Sequence, residues 1–546
     1  MTDAETQWSA SAEKPEPDPS VPLPSRRRLG RSTAIFAVAT ALSRIFGVVR
    51  EVVAAYYFGA FGRINAFTIA YQIPNLVRSL VADAALSSAF VPVFSELIEK
   101  GERRRAWRVA STLLWLMLLG LTALSALFIV LAPYVIGLFG NPGNDKNLAV
   151  GLSQVLFPIV SLLGVSGIVV GILNTYDHFT IPALSPVVWN VAIIVGLVIG
   201  VPQAQTMNAE LYVYAVSILL ATIIQTLLPF PWLRTLERGE ERLRVLIDWR
   251  DPMVKRTFVL MGPVTLGLGL INVNAVIDQI FASRLVNGVL APTAIQKSFL
   301  VYMLPQGVFS VAVATVLFPT LSRLAARGDL DGFRSTLSSG LRQIAFLLIP
   351  ASVFTAVLAE PIIRLLYQHG RWGPAQTPVV GDCLAAFSAG LVFNGVMLML
   401  NRGFFSLQSN WIPTLVALAN LVLNALFDAA FYHLGAWGIP LATAVVNVAG
   451  AAALLVLRRR RIGSIDGHTT VSAVVRIVIA SLVVGAVSYA VWEPLDSSLG
   501  RSLGGQVVSL VTALLAATAV YLAACRLLRV RELDALRSLA AWRTPR

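Results

Sequence analysis

The sequence predicts an all-α polytopic membrane protein. It has about fourteen transmembrane helices, in two pseudo-symmetric six-helix lobes related as a parallel repeat, plus two extra C-terminal helices. Three observations predict this. Of the 546 residues, 56% are hydrophobic and only 13% charged, where a soluble domain carries about 25% charged. Apolar runs near 20 residues or longer recur along nearly the whole chain, each long enough to cross a bilayer. Distant segments also resemble one another at a nearly constant offset.

In chain order, residues 1–31 are polar, contain proline and end in Arg26-Arg27-Arg28 and Arg31. They read as a disordered cytoplasmic tail, with no small-residue cleavage site after a short apolar core to suggest a signal peptide. The first lobe is assigned to 32–235, with spans near 33–58, 65–97, 107–139, 147–174, 181–201 and 210–234. The second lobe is assigned to 236–461, with spans near 255–285, 291–325, 334–366, 376–405, 411–434 and 437–457. Spans 470–494 and 504–528 fill an appended segment, 462–530, before a cytoplasmic tail at 531–546. Pro74, Pro92, Pro305 and Pro319 fall inside long spans and are expected to kink or break them.

The lobes follow from the repeat. IPNLVRS…FVPVFSEL at 73–97 echoes LPQGVFS…LFPTLSRL at 304–324, and LNT…IPALSPVVWN at 173–190 echoes LNR…IPTLVALAN at 400–420. The proline offsets agree: 305−74 is 231, 319−92 is 227, and 413−182 is 231. Six spans per half give both halves the same orientation, so the relating axis lies along the membrane normal.

The net charge of +14 is not a nucleic-acid footprint, because the basic residues cluster in alternate short loops. Loop 98–106 carries Lys100 and Arg103 to Arg105. Loop 235–254 carries Arg238, Arg242, Arg244 and Arg250, and loop 458–469 opens with Arg458 to Arg461. The intervening loops 202–209 and 286–290 carry almost none, so both termini and the basic loops are expected in the cytoplasm. Cys383 and Cys525 lie in apolar runs and the four histidines are scattered. Neither a metal-thiolate site nor soluble-type enzyme chemistry has a foothold.

Charges far from span ends mark the candidate sites. Arg44, Arg50 and Glu51 lie in the first span, Arg78 and Asp83 in the second. An arginine at the bilayer centre costs roughly 2.5–3.5 kcal/mol on insertion scales, and two carboxylates cannot neutralise three guanidiniums. A cationic interior between the lobes follows, the alternative being that Arg50–Glu51 and Arg78–Asp83 are internal ion pairs or snorkelling end charges. Lys297 of span 8, near one end of its span, is either the cation facing that interior from the second lobe or an interface anchor. Arginine binds phosphate oxygens bidentately, which makes phosphate or pyrophosphate the natural ligand. Such a surplus of positive charge would also be drawn toward a negative cytoplasm, making the membrane potential a driving force. A second constellation, Asp278, Asn424, Asp428 and Thr443, offers hard oxygen ligands suited to sodium or to a proton relay, or else bridges helices by hydrogen bonds.

The segments SRIFGVVRE, AFTIAYQIPNLVRSLVADAALSSAFVPVF, GILNTYDHFTIPALSPVVWN, LYQHGRW and RGFFSLQSNWIPTL resemble the MurJ/MviN family. These are lipid II flippases of the exporter superfamily that includes multidrug antiporters and polysaccharide flippases. The resemblance runs from about residue 32 to 530. It implies a V-shaped, fourteen-helix carrier in the bacterial plasma membrane, not an enzyme. Such a carrier moves undecaprenyl-pyrophosphate-linked peptidoglycan precursor from the cytoplasmic to the outer leaflet by alternating access. It further implies that Arg44, Arg50 and Arg78 are cavity arginines, with Asp83 at the family's usual acidic position. The Asp278, Asn424, Asp428 and Thr443 set is similar to a sodium site of some members. The last two spans would line a groove for the polyprenyl tail. The implied partners are the lipid-linked precursor, membrane lipids and wall-synthesis proteins, and no nucleic acid. The chain departs from the family at Asn65, where an acidic residue is common, and at Leu300, where an arginine is usual; Lys297 lies one turn from the latter. A flippase for another polyprenyl-linked glycan would use the same cavity. A drug/cation antiporter would favour an acidic one, and a non-transporting scaffold would leave the intramembrane arginines without a purpose.

Overall fold

The computed structural model describes residues 26–79, 85–237, 239, 241–409, 411–463 and 467–533. The first half contains α1 (Arg26–Phe58), α2 (Ile64–Arg78), α3 (Ala85–Glu99), α4 (Arg103–Gly137), α5 (Lys146–Leu156), α6 (Pro158–Thr175), α7 (Thr180–Gly200), α8 (Met207–Leu227) and α9 (Phe230–Leu236). The second contains α10 (Pro252–Phe281), α11 (Ala291–Pro305), α12 (Val311–Ala326), α13 (Leu330–Val357), α14 (Ala359–Tyr367), α15 (Gln376–Ser406), α16 (Trp411–Phe431) and α17 (Gly438–Ile462). The chain continues into α18 (Gly467–Leu499) and α19 (Leu503–Leu527).

Helix starts are written locally. Asp145, Thr206, Asp251, Asp329 and Ser502 each accept a hydrogen bond from a first-turn amide of α5, α8, α10, α13 and α19, satisfying a donor the helix itself cannot. Eleven helical stretches among the described residues are long and apolar enough to cross a membrane. The remaining expected spans, 33–58, 65–97 and 255–285, are helical wherever described but stand outside those eleven, so fourteen remains a reading of the sequence.

The repeat is visible in helix limits. α2 and α11 differ by 227 at both ends, 291−64 and 305−78. α7 and α16 differ by 231 at both ends, 411−180 and 431−200. The halves diverge where α15 runs unbroken and its counterpart is split into α5 and α6 at Phe157. Pro158 opens α6 there, and its missing N–H favours a helix start over a helix interior.

Three expectations need correcting. The tail does not extend to residue 31, because α1 already begins at Arg26, two residues past Pro24; arginine is a good helix former. Arg458 to Arg461 are not loop residues but the end of α17. Pro92 and Pro319 interrupt neither α3 nor α12, and Pro74 lies within α2. Only Pro305 coincides with a change of winding, a π-helical segment at 306–310. Membrane helices tolerate proline where neighbouring helices and local π adjustments satisfy the freed carbonyl.

α1, α7 and α8 pack side by side, as do α4 with α6 and α2 with α5, while α15 forms the axis of the second half against α11, α13 and α17. α18 and α19 pair with each other and dock on α13, where Tyr521 donates to the Phe346 carbonyl at 2.6 Å. α10 joins the halves, packing on α2 and α3 on one side and α16 on the other. Below, the end of the molecule holding the start of α1 and the end of α17 is the basic face; the opposite end is the far face.

Candidate substrate cavity and acidic pair

Glu51 stands where the two lobes meet. Its Oε1 accepts from Arg50 Nη2 at 2.5 Å and its Oε2 from Lys297 Nζ at 2.6 Å, and Nζ also reaches the Glu51 carbonyl at 3.2 Å. All three side chains are largely buried, Lys297 only 6% exposed. Aromatic faces complete the cage: Arg50 lies 4.8 Å from the Trp189 ring centroid and Lys297 lies 5.4 Å from that of Tyr367, positions that favour a cation. Two cations share one carboxylate, leaving one positive charge in surplus. The cavity they line with Tyr71, Trp189 and Tyr214 is only about 40 Å³, room for a few waters at most. The lobes are therefore closed on it.

The far face supplies that closure. Asn65 Nδ2 donates to the carbonyls of Ala60, Gly62 and Val289 at 3.1, 3.0 and 2.8 Å, while its Oδ1 accepts from the Thr293 amide at 2.9 Å. A carboxylate could accept from Thr293 but could not donate to any of those carbonyls, so the departure at Asn65 gives this chain an uncharged clasp. Thr68 and Thr293 hydroxyls bond at 2.8 Å, and Gly62 N donates to the Val289 carbonyl at 2.7 Å. Further out, Arg371 grips Glu210 with both terminal nitrogens and its amide bonds the Tyr56 carbonyl. Gly370, at φ +60, lets the backbone pass against Tyr56, where any Cβ would collide with the Tyr56 carbonyl.

The three arginines expected together have different neighbours. Arg50 is in the closed cavity. Arg44 lies toward the basic face, its guanidinium packed on α12's preceding π segment, where a Cβ at Gly307 would come within 2.7 Å of Nη1. Arg78 donates through Nε and Nη2 to Asn75 Oδ1 at 3.1 and 3.0 Å. Asp83 lies outside the described residues. At the basic face α3 and α10 pack together, and two ion pairs join the lobes: Arg256 with Glu96 at 2.8 Å and Arg105 with Asp251 at 3.1 Å. The sequence offered Arg50, Glu51 and Lys297 as candidates, and an Arg50–Glu51 ion pair as one reading of the first two; that Lys297 shares the same carboxylate depended on how the lobes pack.

The second constellation is partly assembled. Asn424 Nδ2 donates to Asp278 Oδ1 at 2.5 Å and to Asp428 Oδ2 at 3.1 Å, tying α10 to α16. Asn274 approaches Asp278 at 3.4 and 3.5 Å. The Thr443 hydroxyl donates to the Ile439 carbonyl of its own helix. Asn424 Oδ1 and Asp428 Oδ1 are buried without a partner. Oxygens facing a carboxylate pair suit a proton or a hard monovalent cation. Among the described residues no group of three or more His, Cys, Asp or Glu forms a metal cluster.

Known proteins match this chain over most of its length. The family model described as "Lipid II flippase MurJ" matches residues 54–498. The probable lipid II flippase MurJ of Vibrio cholerae is 32% identical over 438 residues, covering 77% of this chain and 81% of that one. The lipid II flippase MurJ of Burkholderia cenocepacia is 30% identical over 404 residues, covering 72% and 77%. A solved structure described as lipid II flippase MurJ in an inward closed conformation superposes with a TM-score of 0.72 at 25% identity, covering 90% of this chain and 99% of that one. An inward-facing multidrug resistance MATE family transporter of the MOP superfamily gives 0.66 at 16% identity, a likeness of fold alone.

Proposed function

The chain belongs to the lipid II flippase MurJ family, and on that premise we propose how its buried charges move the substrate. The protein is a multi-pass inner-membrane carrier, a lipid II flippase that translocates the polyprenyl-pyrophosphate-linked peptidoglycan precursor. Its basic face lies in the cytoplasm, with both termini; the asymmetry of arginine between the two faces supports this. The observation that carries the mechanism is the Arg50–Glu51–Lys297 bridge between lobes. In the closed state Glu51 occupies both cations. A pyrophosphate headgroup entering from the basic face, once the Arg256–Glu96 and Arg105–Asp251 pairs there part, brings two negative charges against one and offers Arg50 a bidentate partner. It displaces Glu51, the lobes lose their central link, and the far face opens: alternating access with the headgroup as the key. Arg44 and Arg78, nearer the entrance, attract the headgroup on its way in.

The empty cavity keeps a surplus positive charge. Carrying one charge through the membrane potential is worth about 2.3 kcal/mol per 100 mV, roughly a fiftyfold bias of a two-state equilibrium. The potential thus resets the carrier inward, and a sodium ion or proton at Asp278, Asn424 and Asp428 assists by holding α10 on α16. The test is growth and lipid II externalisation in cells depleted of their own flippase. Arg50→Ala should abolish both while the protein still reaches the membrane, and full activity in that variant would remove the mechanism.

A further inference from the structure

The basic run that ends α17 is not uniform. Arg459, Arg460 and Arg461 are exposed, as a topology signal requires, but Arg458 is buried, at 7% exposure. Its Nε and Nη1 have no hydrogen-bond partner among the described residues. The charges acting on it are Arg334 and Arg459, both of its own sign. Burying a guanidinium without partners for two of its nitrogens is costly, and a run needed only for orientation has no reason to bear it. Among the described residues, Arg334, which acts on Arg458, already pairs with Asp331 at 2.6 Å. Arg334 also donates to the Ile462 carbonyl, so its guanidinium is held over the end of α17 beside Gly463. Among the described residues, this corner between α13 and α17 holds no anion with several acceptor oxygens for Arg458.

We propose that Arg458, with Arg334 and Arg459, forms a phosphate-binding site at the basic face of the second lobe, distinct from the substrate cavity. A helix end at the membrane surface places it level with phospholipid headgroups, so the phosphate is that of an anionic lipid or a free phosphate ion. Occupancy there would tie α13 to α17, next to the docked α18 and α19. The proposal stands apart from the transport reading, because none of these residues touches the cavity charges.

The test uses the purified full-length chain, with phosphatidylglycerol, phosphatidylcholine and inorganic phosphate as probes, read by native mass spectrometry and thermal stability. Wild type should retain phosphatidylglycerol over phosphatidylcholine. Arg458→Gln should lower that retention about fivefold, the effect of one cation facing an anionic surface, and Arg458→Lys should keep part of it. Arg458→Gln should also be no less stable than wild type in pure phosphatidylcholine, since it removes a buried charge. Stabilisation of wild type by millimolar phosphate, without selective lipid retention, assigns the site to the free ion. Equal retention of both lipids by wild type, with no phosphate response, overturns the proposal, as does undiminished phosphatidylglycerol retention in a folded Arg458→Gln.

Discussion

The protein buries two charged clusters of opposite sign, and they are built differently. Arg50, Glu51 and Lys297 are satisfied by one another across the lobe boundary, in ion pairs of 2.5 and 2.6 Å. Asp278, Asn424 and Asp428 share a single amide, tie α10 to α16, and leave oxygens unpartnered. The first cluster is complete when the lobes are closed and becomes available to an anion only when they part. The second keeps oxygens without a partner among the described residues even in the closed state, so on the proposed reading it takes up positive charge without any separation of lobes. The cationic cluster thus bridges the lobes, as the proposed switch requires, whereas the acidic one joins α10 to α16 alone.

The comparison is broken most severely at the cationic cluster. Arg50→Ala leaves Glu51 with one partner and the cavity without its fork, so flipping should fall at least a hundredfold in the depleted strain. Arg50→Lys should recover only part, because a point charge cannot bind two oxygens at once. At the acidic cluster, Asp428→Asn should erase any stabilisation by sodium measured against choline at constant ionic strength. A wild type that shows no sodium-specific shift reduces that cluster to a proton site or interhelical glue.

Smaller effects sharpen the account of closure. Asn65→Asp replaces three donated bonds by a carboxylate facing carbonyl oxygens. The closed state should lose about 1–3 kcal/mol at neutral pH, read as increased labelling of a cysteine placed in the cavity of a Cys383- and Cys525-free chain. The smallest belongs to the basic-face strap. Burial alone would raise Asp251, but hydrogen bonds from Arg105 and the Met253 amide outweigh it and hold the carboxyl below its ordinary value. Its contribution is full above that ordinary value and is lost only as pH falls through the lowered one. Asp251→Asn should therefore cost at most about 0.5–1 kcal/mol near neutrality, and nothing further in strong acid, in thermal melts of the purified protein.

How much was legible follows from what spacing can encode. The repeat was legible, because two copies of one fold keep their helix limits: α7 and α16 share both ends at an offset of 231. A charge in mid-span revealed Arg50, since desolvation forbids it a lipid-facing position; Lys297, near one end of its span, read equally well as an interface anchor. Which helix a face meets is not written in its own spacing. Asn424 and Asp428, four apart, were legible as a face; that Asp278 joins them depended on how α10 packs on α16. Arg44, Arg50 and Arg78 looked equivalent by depth, yet lie in three separate settings in the closed state. The Arg458 run likewise read as four equal charges, because one turn of helix separates buried from exposed and composition does not say which residue faces inward.

The central claim is that the cationic cluster holds the headgroup while the acidic cluster does not. It is tested most directly by the equilibrium affinity of purified wild-type, Lys297→Met and Asp428→Asn proteins for lipid II in nanodiscs of fixed lipid composition. The account expects Lys297→Met to bind about tenfold or more weakly, the loss of one buried charge-assisted bond, and Asp428→Asn to bind within about twofold of wild type. Wild-type affinity in Lys297→Met, or an equal loss in both variants, would contradict it.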